Sequence, residues 1–292
     1  MSKIDKKKQG IVVAVLNMKG GVGKTTISAH VFRHLHSHLK KSVVLIDFDP
    51  QFNLTQTVIS QASYEKHKAD KRTVLSVMED HTAPSIFKIS TAMGPPPKLD
   101  EVGIRLKGSI INPELNLHLV PGDFDIAKYS LINDSKVLLP VKERFLKFVE
   151  NVRKEKDVVC IDCNPSSSFM TLCALQAATH VVVPVRPDRY SLLGLKMLDR
   201  FISEMPEIIN KPKLTILLNG VKSQGYDPAV ENSLRSDPQF GPKTMVASLH
   251  MSKVLEASHS YTGFATDKRQ SWRVTPRITT IVTELGKSLG II

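Results

Sequence analysis

Three glycines crowd the stretch Lys19-Gly20-Gly21-Val22-Gly23-Lys24-Thr25-Thr26, and that spacing is suited to phosphate. Glycines at 20, 21 and 23 let the backbone curl until successive N–H groups point inward at phosphate oxygens. The helix expected next adds the positive end of its dipole. Lys24 brings a mobile cation to the β- and γ-phosphates of a nucleotide, and Thr25 a hydroxyl where Mg²⁺ needs an oxygen ligand. Carboxylates follow two later apolar runs: Asp47 and Asp49, two apart, and Asp162. Phosphoryl transfer asks for metal, a positioned water and cations on the developing charge rather than a covalent nucleophile. Asp162, ending a strand, can hold Mg²⁺ through a water.

Two other constellations carry less. Cys160 and Cys163 have C-x-x-C spacing, but inside a strand residues three apart point to opposite faces, which speaks against a metal or redox pair. His30, His34 and His38 recur every fourth residue and share a helix face that suits a soft metal. A solvated face is the favoured reading. Three cysteines in all are too few for a disulfide framework. Forty Lys and Arg against 28 Asp and Glu give a formal net charge of +12, which favours polyanions such as nucleic acid or acidic lipid.

The elements that must position these groups are legible in the hydrophobic pattern. Residues 11–16 form a β-branched run that ends in the glycine loop and passes into a helical pattern over 24–39. Further buried runs are 43–46, 117–120, 158–161, 181–183 and 214–218, with helix-like stretches at 140–154 and 192–205. This alternation predicts an α/β fold, a mainly parallel twisted sheet flanked by helices, with ligands at the carboxyl ends of the strands. At 292 residues, 41% hydrophobic and 23% charged, one domain over 11–292 is expected behind a basic, flexible tip at 1–10. Residues 62–112 break the rhythm with a charge run and Gly94-Pro95-Pro96-Pro97. They read as an inserted surface region around a short helix at 73–79. Ile278, Ile281, Val282, Leu285 and Leu289 form one apolar stripe, the face of a terminal helix docked on the core. The chain has no apolar run of spanning length and its start lacks the apolar segment of a secretory signal, so a cytoplasmic location is expected.

The glycine string resembles the deviant Walker A loop of the ParA/MinD superfamily of P-loop NTPases, which also includes the nitrogenase iron protein and the tail-anchored-protein targeting ATPase. The ordinary pattern would put its first glycine at 18, where Met18 stands, and a lysine occupies 19. Leu45-Ile46-Asp47-Phe48-Asp49-Pro50-Gln51-Phe52-Asn53 is similar to the ParA switch segment, D-x-D-P-Q-x-N. Ile161-Asp162-Cys163-Asn164-Pro165-Ser166 resembles the Walker B segment, with Asn164 where proline is common. Val183-Pro184-Val185-Arg186-Pro187, then Ser191, Leu192, Gly194 and Leu195, resembles the next block. The likeness spans roughly 10–220. It implies ATP and Mg²⁺ as ligands, with Asp47 in the metal's outer shell and Asp49 at the attacking water. It also implies that Lys19 crosses to the nucleotide of a second subunit, and that Asn219 reads the adenine amino group.

Within the superfamily, the nitrogenase branch needs cluster cysteines that this chain lacks. Tyrosine kinases end in a tyrosine cluster, whereas Tyr261 is the only late tyrosine. A MinD-like membrane-surface ATPase would need a more basic terminal helix, so membrane binding is not expected. An amide-forming ATP-dependent synthetase stays open as the alternative. DNA binding rests on the charge and on Leu249-His250-Met251-Ser252-Lys253-Val254-Leu255-Glu256-Ala257. That segment resembles P-R-x-x-R-x-x-E-A with His250 and Lys253 at the arginines. Lys211, Lys213, Arg269 and Arg273 are further candidates, for sequence-independent and salt-dependent phosphate contacts. No helix-turn-helix precedes the core. The expectation is a nucleoid-associated ATPase, an ATP-dependent homodimer that partitions DNA or protein cargo with a ParB-like partner stimulating slow hydrolysis.

Overall fold

A computed structural model describes residues 9–80, 88–90, 94–188, 190–222, 227–256 and 262–292. Most of the basic tip, Ala257 and Tyr261 lie outside the described residues. The strands in chain order are β1 (Ile11–Val15), β2 (Val43–Phe48), β3 (Ile104–Gly108), β4 (Asn116–Val120), β5 (Val158–Cys163), β6 (His180–Val185), β7 (Lys213–Val221) and β8 (Leu249–His250). They form one sheet in the order β3-β4-β2-β5-β1-β6-β7-β8, parallel throughout except for β3, which runs antiparallel to β4. β2, β4, β5 and β6 are buried along their whole length, as β-branched runs covered on both faces should be.

Alternation along the strands separates two cores. Val12, Ala14, Val159 and Ile161 pack with Phe145 and Phe148 of α7 (Ser135–Glu155) and Leu195 of α9 (Ser191–Glu204). Val13, Val15, Val158 and Cys160 face the other way, onto Phe32 and Leu35 of α2 (Phe32–Leu39) and onto Ile278 and Ile281 of α11 (Thr275–Ser288). Cys160 and Cys163 fall on opposite faces accordingly. The helix that leaves the glycine loop starts as α1 (Lys24–Thr26), passes through a π-turn at Ile27–Val31 and continues as α2. The terminal stripe docks as expected, with Ile278, Ile281, Val282 and Leu285 fully buried. The remaining helices are α3 (Asn53–Val58), α4 (Gln61–Ala69), α5 (Val74–Met78), α6 (Leu99–Val102), α8 (Phe169–Ala177) and α10 (Ala229–Ser236). Among the described residues no helix is long and apolar enough to cross a membrane.

Three expectations need correction. Residues 62–112 are not all surface: α4 buries nothing, but α5 buries Val74, Leu75, Val77 and Met78, and β3 closes one edge of the sheet. β3 has an exposed, cationic face, a common device on an edge strand, and charge hid its strand character. The helix expected from 140 begins at 135, because the Asp134 carboxylate caps the Lys136 N–H and leaves Pro140 inside α7. His30 and His34 are buried, at 2% and 8% exposure, and only His38 of that set is exposed. The face read as solvated is the one that α11 and its approach cover. His34 Nε2 meets Thr279 Oγ1 at 2.8 Å, and His30 Nδ1 accepts the Ala265 N–H at 3.1 Å.

Candidate nucleotide site

β1 delivers the loop between β5 and β6, at the carboxyl end of the sheet. Gly21 and Gly23 hold φ of +70° and +91°, a region that side chains rarely enter. A Cβ at Gly23 would also stand 2.0 Å from Asn219 Nδ2. That nitrogen donates to the Val22 carbonyl at 2.7 Å, so the end of β7 clamps the loop while Val22 is buried in the core. Asn17 anchors the entry, donating to the Pro184 carbonyl at 2.9 Å and accepting the Lys19 N–H at 2.9 Å.

Lys24 is 7% exposed, and among the described residues its ammonium reaches only the Asn17 and Lys19 carbonyls, at 3.4 and 3.5 Å. Burial lowers its pKa, against the pull of Asp162 and Asp49. This is a desolvated cation with weak partners, aimed within its own loop. Two hydroxyls one helical turn apart, Thr25 and Ser28, donate to the two oxygens of Asp162 at 2.9 and 2.8 Å. Burial raises the Asp162 pKa to about 6 against those two bonds. Asp47 lies beside Asp162 in the register of β2 and β5. It is wholly buried and takes both the N–H and the hydroxyl of Thr55 on one oxygen, each at 2.7 Å. Burial, then the neighbouring Asp162, pushes its pKa up to about 8. Asp49, at the turn beyond, is partly exposed and accepts the Gln51 N–H at 3.0 Å.

Gly20, Gly21, Gly23, Lys24, Thr25, Thr26, Asp49 and Asn219 therefore line one cleft of about 1580 Å³. Asp47 and Asp162 sit beneath it rather than in its wall. Among the described residues no cluster of three or more His, Cys, Asp or Glu is placed to hold a metal unaided. The donor set suits a hard cation that takes further oxygens from phosphate: Thr25 at the first contact, with Asp162 and Asp47 behind it. The left-handed glycines and the Lys24 ammonium suit the phosphates themselves.

Lys19 faces elsewhere. Its ammonium is ion-paired with Asp188, on the turn between β6 and α9, with the two side chains 47% and 37% exposed. Asp188 also accepts the Tyr190 N–H, and its pKa is lowered because the bonds from Lys19 and Tyr190 outweigh partial burial. The candidates for phosphate contact do not gather in one place. Lys211 and Lys213 stand at the entry of β7, where Lys211 bonds the Met205 carbonyl at 2.7 Å, at the end of the sheet away from the glycine loop. Lys253, Arg269 and Arg273 follow β8, on the loop side, and all three are exposed.

Several partners escaped the sequence reading. Ser28 was recoverable from its three-residue spacing to Thr25. Asn17, Thr55 and Asp188 had no signal beyond lying near a motif, and Arg186, whose side chain a Cβ at Gly220 would meet at 3.0 Å, lay inside a matched block without an assigned role.

Residues 10–216 match a family model described as an AAA domain. The sporulation initiation inhibitor protein Soj of Bacillus subtilis is 30% identical over 192 residues, 65% of this chain and 63% of Soj. The chain thus spans about three fifths of the length of that curated relative. Among solved structures, a putative plasmid partition protein from Borrelia burgdorferi bound to AMPPNP superposes with a TM-score of 0.67 at 15% identity, covering 95% of this chain and 100% of that one. The pNOB8 ParA bound to nonspecific DNA gives 0.63 at 17%, covering 95% and 98%. Cobyrinic acid a,c-diamide synthase from Mycobacterium smegmatis, with an ATP analogue and magnesium, gives 0.65 at 22%, covering 94% of each. These likenesses establish the fold.

Proposed function

We propose that this chain, which belongs to the matched AAA domain family and to the ParA/MinD superfamily of P-loop ATPases, is a slow Mg²⁺-dependent ATPase. Its ATP-bound form is a homodimer that holds DNA non-specifically and positions DNA or protein cargo. The observation that carries this reading is the division of labour between two lysines in one loop. Lys24 is buried and stays with the phosphates of its own subunit. Lys19 sits at the rim, held away from its own cradle by a half-exposed pair with Asp188 that the nucleotide of a second subunit would displace.

Each residue has a task that its surroundings support. Gly21 and Gly23 present backbone N–H groups, and Lys24 neutralises charge that builds on the β–γ bridging oxygen as the γ-phosphoryl leaves. Magnesium, when bound through the Thr25 hydroxyl, supplies charge neutralisation on the phosphate oxygens. Asp162 orients that hydroxyl, and Thr55 fixes Asp47 behind it. Asp49, partly exposed at the cleft, positions the water. A cleft of about 1580 Å³ has room for a nucleoside triphosphate and its metal. The ATP-bound dimer would be found on the nucleoid until a ParB-like or cargo-specific partner accelerates hydrolysis and releases the DNA.

The test is duplex-DNA binding with ATP, ADP or no nucleotide, beside Lys19→Ala. Binding should need ATP and fail in the variant; equal binding in all states would remove the switch. Asp49→Ala should lose at least tenfold in turnover while retaining ATP affinity, and unchanged turnover would take Asp49 out of its role. The amide-forming reading shares the fold alone. Phosphate release that depends on an added small carboxylic acid would bring it back.

A further inference from the structure

The chain has one tryptophan, Trp272, and it stands on the surface, 67% exposed, on a short turn (Ser271–Arg273) leading into α11. The guanidinium of Arg273 lies over its ring, 5.1 Å from the centroid. Arg269 and Arg277, on either side, are exposed as well. Among the described residues no ion pair ties up Arg269, Arg273 or Arg277, whereas Arg33 and Lys107 nearby are both neutralised by Asp267, at 2.7 and 3.1 Å. Three guanidiniums without an ion pair among the described residues, grouped around an exposed ring in a protein of net charge +12, complement the phosphate backbone of a duplex. An acidic membrane fits less well, since Trp272 is the single large apolar group exposed between Thr262 and Thr280 and no apolar helix face accompanies it.

This segment is wired to the nucleotide cleft. Its base is held by two residues of the helix that leaves the glycine loop: His30 accepts the Ala265 N–H, and Arg33 pairs with Asp267 and lies over the Phe264 ring at 5.7 Å. Lys268 ties the other side, donating to the carbonyls of Val254 at 2.9 Å and Glu256 at 3.2 Å, on a turn that lines the cleft. The π-turn at Ile27–Val31 lies between the phosphate-contacting residues and Arg33, a place where a helix can change its register locally.

The geometry points to the segment 265–277, with Trp272, Arg269, Arg273 and Arg277, as the duplex-DNA contact surface, set by the nucleotide through His30 and Arg33. This rests on the DNA-binding reading above and selects one end of the molecule for it, leaving Lys211 and Lys213 outside the contact. The single tryptophan makes the test direct. Trp272 emission is followed during titration with unrelated duplexes, with ATP and without nucleotide, and affinity is measured separately by anisotropy of labelled DNA over a range of salt. In the wild type the emission should change on adding ATP alone and change again with DNA. Arg269→Ala with Arg273→Ala should weaken DNA binding roughly tenfold and lower the salt slope by about 2, with affinity for a fluorescent ATP analogue retained as proof of folding. Lys211→Ala with Lys213→Ala should change affinity less than twofold.

Wild-type affinity in the Arg269/Arg273 variant, or a tenfold loss in the Lys211/Lys213 variant, overturns the assignment while DNA binding stands. No DNA binding by the wild type in any nucleotide state overturns the functional reading beneath it. Emission indifferent to ATP, with ATP bound, overturns the coupling. A tryptophan response to anionic lipid vesicles and none to DNA overturns the choice of partner.

Discussion

Two aspartate sites flank the glycine loop and treat charge in opposite ways. Under the cleft, Asp47 and Asp162 stand side by side on β2 and β5, almost completely buried, with short hydrogen bonds from Thr55 to one and from Thr25 and Ser28 to the other. At the rim, Asp188 holds Lys19 by a half-exposed pair on two loops. The buried pair is preorganised, and its arrangement is over-determined by strand register and hydrogen bonds. The rim pair is worth little by itself, because water screens it and releasing a lysine restores side-chain freedom. A switch needs both kinds of site: one that does not move when the nucleotide arrives, and one that costs almost nothing to break.

The contrast is broken most severely from the rigid side. Gly23→Ala places a side chain at φ +91° and drives its Cβ to 2.0 Å from Asn219 Nδ2, so both the loop curl and the β7 clamp are lost. ATP affinity should fall by two orders of magnitude or more, with a stability loss of about 2–4 kcal/mol. Calorimetric titration with ATP and a denaturant midpoint measure the two effects. An alanine variant that binds ATP within threefold of wild type would show that the cradle is looser than its geometry.

A smaller effect sharpens the buried half. The Asp47 carboxyl is raised from its ordinary 3.8 to about 8, chiefly by burial. Between those values the folded chain holds a proton that the unfolded chain has released, so folding stability falls as pH rises and the loss is complete only above the folded value. Asp162 contributes with the same sign, but its folded value of about 6 confines most of that contribution to lower pH. The interval from pH 6 to 8 therefore reports mainly on Asp47. Asp47→Asn cannot ionise, and nucleotide-free protein carrying it should lose about 2 kcal/mol less stability than wild type across that interval. Parallel slopes for the two proteins would mean that Asp47 is ionised throughout.

The same division explains what the sequence reveals. The glycine loop, Asp47, Asp49 and Asp162 were legible because phosphate chemistry constrains residue type and spacing locally, and the strands because parallel strands buried on both faces are uninterrupted apolar runs. Groups completed by distant chain were not. Asp188 meets Lys19 across 169 residues and His34 meets Thr279 across 245, so neither contact has a local period to betray it. The histidine face was misread because imidazole counts as polar in any periodicity, although its ring packs well. α11, which covers it, is far along the chain. Burial keeps those rings neutral, with His30 and His34 lowered to about 4. The core helix α5 reads as surface in the sequence because five residues are too few to show an amphipathic stripe among charge runs.

The rim half predicts the smallest change in stability and a selective change in assembly. Asp188→Asn keeps the shape of the side chain, and its amide oxygen can still accept the Tyr190 N–H, while the charge that holds Lys19 is removed. Unfolding free energy should shift by less than about 1 kcal/mol, as for other half-exposed pairs. The dimer should respond more. Lys19 then spends less of its time paired within its own subunit, and the competing state that the ATP-bound dimer must displace is weakened. Sedimentation with ATP should show dimerisation at a several-fold lower protein concentration than wild type, with ADP-bound protein still monomeric. Combined with Lys19→Ala, the same substitution should have no effect on assembly, because its action passes through that lysine. An Asp188→Asn protein that assembles less readily than wild type would mean that Asp188 belongs to the dimer contact itself, and that the pair is a part of the interface rather than a latch released on the way to it.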